Sequence, residues 1–140
     1  MANDVKLVRL YVSSVANGTQ DDTPNEVGGN PRSPFYLMIE ADASDPAGDN
    51  KYNYTLTISA RSTSGNNTTF APLIRNEQAG DSNNGWRQVT PGANDGYVKT
   101  TTEPVNAADF ESNGSYEFVG VLRLGDNTIS RIRSNEFFII

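Results

Sequence analysis

Hydrophobic and polar residues alternate along most of this chain, and a period of two is the mark of half-buried β-strands. The clearest run is Lys51 to Arg61, where Tyr52, Tyr54, Leu56, Ile58 and Ala60 fall on one face. Lys51, Asn53, Thr55, Thr57, Ser59 and Arg61 fall on the other. Phe35, Leu37, Ile39 and Ala41 form a second apolar face, and Val8, Leu10 and Val12 a third. Toward the end, Tyr116, Phe118, Gly120, Leu122 and Leu124 face one way and Glu117, Val119, Val121 and Arg123 the other. Ile129 to Ile140 alternates less cleanly, which predicts a bulge near Ser134-Asn135. Tyr97 to Val105 reads as a Thr-rich strand ended by Pro104, and Thr68 to Ile74 as a short edge strand confined there by Pro72. No segment has a convincing helical period; Ala107 to Phe110 is at most one turn.

The connectors carry turn residues. Asp126-Asn127 after Gly125 and Ser64-Gly65-Asn66-Asn67 read as hairpin turns. Ala16 to Ser33 is a long loop with Pro24, Gly28, Gly29 and Pro31, and Pro34 bounds the strand that follows. Arg75 to Gly96 is the longest irregular stretch, and loops of that length are often functional. With 140 residues, no internal repeat and no interior linker, the chain is expected to form one domain, residues 1–140. The fold class expected is all-β, an antiparallel sandwich of about seven strands.

Ser112-Asn113-Gly114-Ser115-Tyr116-Glu117-Phe118 adds detail. A polar turn feeds a Tyr that opens a strand, the pattern of a tyrosine corner. The segment resembles the immunoglobulin-like superfamily, whose penultimate strand opens Asp-x-Gly-x-Tyr-x-Cys. Asn113 supplies the turn carboxamide, Gly114 and Tyr116 match, and Phe118 stands at the Cys position. Leu37 or Ile39 would stand near the first Cys position, and Tyr52 or Tyr54 would fill the volume of the missing core Trp. The resemblance implies a disulfide-free immunoglobulin-like or fibronectin-III-like Greek-key sandwich, with a jelly roll as the alternative. Such folds host many functions, so function is sought in the loops and the final strand.

Composition narrows the chemistry. The chain has no Cys and no His, which excludes Ser-His-Asp and Cys-His mechanisms, thiol redox work and the usual zinc or haem ligands. Its carboxylates are scattered over Asp21, Asp22, Glu40, Asp109 and Glu111, with no visible glycosidase pair. The expectation is a non-enzyme. Calcium is the one metal to weigh, because Asp42, Asp45 and Asp49 surround a Pro46-Ala47-Gly48 turn. The competing reading makes these residues turn formers.

Trp86, the sole Trp, lies with Arg87, Asn83, Asn84 and Tyr97 in the long polar loop region. Together they could bind a sugar or a protein, Trp86 stacking on the ligand; alternatively Trp86 plugs one end of the sandwich. Phe137 and Ile139 belong either to the core or, facing outward, to an interface with another subunit. Five Asn-x-Ser/Thr sequons, at Asn17, Asn53, Asn66, Asn67 and Asn113, reflect composition.

A net charge of −6 disfavours nucleic acid and anionic membrane as partners, and no apolar run reaches the ~20 residues of a membrane helix. Met1-Ala2-Asn3-Asp4 has no basic and apolar segment of a signal peptide, and the location, extracellular or virion-associated roles included, stays open. The function expected is a non-catalytic structural or protein-interaction module of a surface, secreted or phage assembly, with self-association included. The alternative is a small carbohydrate-binding domain, with or without calcium.

Overall fold

A computed structural model describes residues 4–26 and 34–140; Gly28, Gly29 and Pro31 of the first long loop lie outside the described residues. Its strands are β1 (Val5–Ser13), β2 (Phe35–Ala43), β3 (Asn53–Ser62), β4 (Leu73–Gln78), β5 (Arg87–Gln88), β6 (Tyr97–Val105), β7 (Gly114–Leu124), β8 (Ile129–Arg133) and β9 (Phe137–Ile139). They form two antiparallel sheets, β1-β2-β6-β5 and β4-β3-β7-β8, with β9 also paired to β7. This is an all-β sandwich of two antiparallel sheets, of four and five strands. The hairpins β1-β2, β3-β4 and β7-β8 each stay within one sheet. Among the described residues no helix is long and apolar enough to cross a membrane.

The alternation explains the core. Phe35, Leu37, Ile39 and Ala41 of β2 pack against Tyr54, Leu56 and Ile58 of β3 and Tyr116, Phe118, Leu122 and Leu124 of β7 within one buried cluster. Burying each large apolar side chain contributes roughly 1.5–3 kcal/mol, which holds the sandwich without disulfides. Phe118, at the position where the resemblance puts a Cys, stacks on Phe137 at 5.3 Å and meets Phe70 edge-on at 5.0 Å. The Tyr116 hydroxyl donates to the Glu111 carbonyl at 2.6 Å, five residues upstream, and so pins the turn that opens β7. A Cβ on Gly114 would stand 2.7 Å from that hydroxyl, so the corner needs glycine.

Several expectations change. Val8 is 45% exposed, because the β1–β2 register shifts between Leu7 and Arg9 and turns it off the core face. Val5 and Leu7 are buried in its place. β4 starts after Pro72 and runs to Gln78, into the stretch expected to be irregular, while Thr68 makes only an isolated bridge to Phe110. β6 continues through Pro104 to Val105: β5 pairs only Tyr97 and Val98, so beyond them β6 is an edge that tolerates a residue without an N–H. The irregularity expected near Ser134-Asn135 is a full break, across which Ser134 stays tied to Phe118 by backbone and hydroxyl bonds of 2.9 and 2.8 Å. A short helix, α1 (Asp45–Asp49), stands where a turn was read; Ser44 caps it and Pro46 opens it.

Candidate interaction face

The structure puts most of the candidate residues to structural use. Trp86 is 3% exposed. Its indole meets the Tyr54 ring edge-on, with centroids 6.1 Å apart, and its Nε1–H donates to the Tyr54 hydroxyl at 3.1 Å. That corrects the stacking role: the ring is packed into the core against Tyr54 and has no free face for a sugar. Asn84 Oδ1 accepts from the Gln78 N–H at 2.9 Å and ties the loop to β4. The Asn83 N–H donates to Asp81, while Arg87 is exposed on β5. The Tyr97 hydroxyl donates to Asp49, and this hydrogen bond is the main cause raising its pKa.

The acidic trio does not converge. Asp45 accepts from the Gly96 N–H at 3.0 Å, Asp49 is held by Tyr97, and Asp42 lies on β2 opposite Lys6 and Val98. Among the described residues no cluster of three or more potential ligands could hold a metal ion. Asp45 and Asp49 anchor loops, as expected of Asp in turns, and do not join Asp42 in a calcium site. Phe137 and Ile139 are each 1% exposed, which corrects their outward placement: both fill the core. Phe138 between them faces out at 37% exposure, because the break before β9 sets its alternation.

What remains unspent is the outer face of the β4-β3-β7-β8 sheet. Register lays its side chains in rows across the strands. One row is Ile74, Thr57, Val121 and Arg131; the next is Asn76, Thr55, Arg123 and Ile129. Below them Ser59, Val119 and Arg133 are aligned, then Arg61 beside Glu117. Three of the large hydrophobics most open to solvent lie on this side, namely Ile74 at 60%, Ile129 at 56% and Phe138. A shallow depression is lined by Arg61, Val119, Arg131 and Arg133. A second, about 600 Å³ and rich in amides, lies toward Asn53, Asn76, Gln78 and Asn127.

The electrostatics of this face oppose those of the whole chain. Four arginines stand on this face with one carboxylate, Glu117, which is buried on the sheet surface beside two of them. Its Oε1 lies 2.7 Å from Arg61 Nε and 3.7 Å from Arg133 Nη1. The contact is one of charge, since that oxygen makes no aligned hydrogen bond. Arg123 and Arg131 take part in none of the ion pairs among the described residues.

Sequence reasoning had the signal for this face and did not use it. Val119 and Val121 occupy the side of β7 that should be polar if it met only water. The cross-strand meeting of Arg61, Arg123, Arg131 and Arg133 needed the register. No protein-family model matches the chain, and no curated protein matches it in sequence.

Proposed function

We propose that the protein is a non-catalytic interaction module that meets an acidic protein surface with the outer face of its β4-β3-β7-β8 sheet. The observation that carries this reading is a sheet face on which Ile74, Val119, Val121 and Ile129 stand among four arginines and one carboxylate, on a chain of net charge −6. Exposed apolar side chains supply contact area, and unpaired guanidiniums offer bidentate sites for carboxylates. The absence of His and Cys from the sequence supports a non-catalytic role. So does the use of Trp86, Asp45 and Asp49 as struts.

The test is titration of a short polyglutamate peptide at low salt, followed residue by residue by NMR. Shifts confined to β7, β8 and the outward side of β3, lost in Arg123→Glu/Arg131→Glu, are expected. Absence of binding, or shifts at the loops around Trp86, overturns the reading. A glycan array decides the carbohydrate alternative: binding that survives the double charge reversal and is lost in Asn76→Ala/Asn127→Ala would move the site to the amide-rich depression.

A further inference from the structure

We infer that the acidic surface seated on this face belongs to a second copy of the chain. The inference rests on the interaction-face reading and adds the identity of the partner. Charge is segregated along the sandwich. The pole where β7 and β9 meet the loops carries Asp21, Asp22, Glu26, Asp109, Glu111 and Glu136, and the cations nearest to it among the described residues are Arg61, one residue from the end of β3, and Arg133, the last residue of β8. The opposite pole sets Asp4, Asp45, Asp49, Asp81, Asp95 and Asp126 against Lys51 and Arg87. On the outer face of the other sheet, Lys6 stands opposite Asp42 and Arg9 opposite Glu40, so that face is balanced. The first pole is therefore the best match on the molecule for the arginine face, and Val15, 52% exposed in its loops, offers that face an apolar contact.

Charge also decides the symmetry. Two arginine faces brought together about a two-fold axis would oppose four guanidiniums to four, and like charges across an interface cost several kcal/mol. Face against pole has no such penalty. That contact is heterologous, so it propagates into a ring or an open chain rather than closing as a dimer. Strands ~4.8 Å apart and about five residues long give a face on the order of 15 by 17 Å. This is well below the ~800 Å² per partner of a standard interface. The association is accordingly weak and salt-sensitive, and it shows at high protein concentration.

The experiment uses the full chain, with mass measured by light scattering across concentration. For the wild type, mass is expected to climb with concentration at low salt and to fall to that of one chain at high salt. Arg123→Glu/Arg131→Glu keeps an intact pole, and Asp109→Lys/Glu136→Lys keeps an intact face. Each alone is expected to stay monomeric, whereas an equimolar mixture is expected to regain a mass above that of one chain. The mixture also reports on folding, since a misfolded variant could not complement the other. A wild type that stays monomeric throughout, assembly that persists in either variant, or a mixture that fails to pair overturns self-assembly. If the monomeric wild type still binds polyglutamate through β7 and β8, the interaction face stands and its partner is another acidic protein. If it binds an RNA oligonucleotide and not polyglutamate, both readings fall.

Discussion

The two open sides of the sandwich are closed by different physics. On one side β1 lies against β8, and neutral hydrogen bonds join them. The Leu7 N–H donates to Ser130 Oγ at 3.0 Å and the Val12 N–H to Asn135 Oδ1 at 3.1 Å. Asn135 reaches on to Asp22 at 2.9 Å. Gly120 lets the sheets approach here, since a Cβ on it would sit 3.1 Å from Leu7 Cδ1. On the other side β4 faces β6, and β5 is too short to cover the gap. A cleft of about 380 Å³ remains, crossed by Lys99–Glu77 at 2.8 Å and Arg75–Glu103 at 2.7 Å. Edge strands left bare invite unwanted pairing, and inward charge is a known guard against it. The neutral seam fixes the packing of the sheets, while the charged seam protects edges that the fold leaves uncovered.

The largest way to break the comparison is at Glu77. Its carboxylate accepts from Lys99 and, at 2.7 Å, from the Tyr54 hydroxyl, which in turn holds Trp86. Glu77→Ala strands a largely buried ammonium and a buried hydroxyl, and is expected to cost about 3 kcal/mol in chemical denaturation. Glu77→Leu combined with Lys99→Met should recover most of that loss, because apolar residues can replace an enclosed pair at little cost. A double variant as unstable as Glu77→Ala would show that the seam is not electrostatic. Asn135→Ala comes next, at roughly 1–3 kcal/mol, because it leaves the Val12 N–H without its acceptor. The bond to Val12 joins neutral groups, so this part of the loss should read the same at low and high salt, and only the bond from Asn135 to the Asp22 carboxylate should weaken with salt.

The same contrast shows why some of the molecule was legible in the sequence. β3 and β7 run through the middle of their sheet, so burial alternates residue by residue and Tyr54, Leu56, Tyr116 and Phe118 could be placed from spacing alone. Val8 and Phe138 could not, because each follows an interruption that only pairing partners define. Trp86 looked like a loop aromatic because its partner, Tyr54, lies 32 residues away. The arginine face had the same difficulty: its members come from three strands, and register alone makes them neighbours. Alternation reports which side a residue takes; it carries nothing about which distant residue shares that side.

Tyrosine titration sharpens the comparison further. Burial, and then the hydrogen bond to Glu77, raise the pKa of Tyr54 above its ordinary 10.0. The folded state therefore holds the proton more tightly than the unfolded chain. Below pH 10 both states are protonated and nothing changes; above it the unfolded chain loses its proton first and stability falls. The slope approaches about 1.4 kcal/mol per pH unit for one proton. Denaturation between pH 9 and 11 should show this loss in the wild type and in Asn135→Ala, and a shallower one in Tyr54→Phe. Tyr116, also raised by burial, keeps the remaining slope from vanishing. Equal slopes in all three proteins would remove Tyr54 from the charged seam.

The smallest effect is the most discriminating between the two ion pairs. Arg75 and Glu103 side chains are 44% and 22% exposed, against 13% and 17% for Lys99 and Glu77. Water and salt reach the outer pair, so its net contribution is under about 1 kcal/mol. A double-mutant cycle on Arg75→Ala and Glu103→Ala measures the coupling itself, free of what each side chain does elsewhere. That coupling should shrink toward zero between low and high salt, while a cycle on Lys99 and Glu77 keeps most of its value, because enclosed charges are screened far less. Equal salt dependence in the two cycles would mean that water penetrates the cleft to Lys99. The charged side would then be wet throughout, and Trp86 and Tyr54, rather than the ion pairs, would be what closes it.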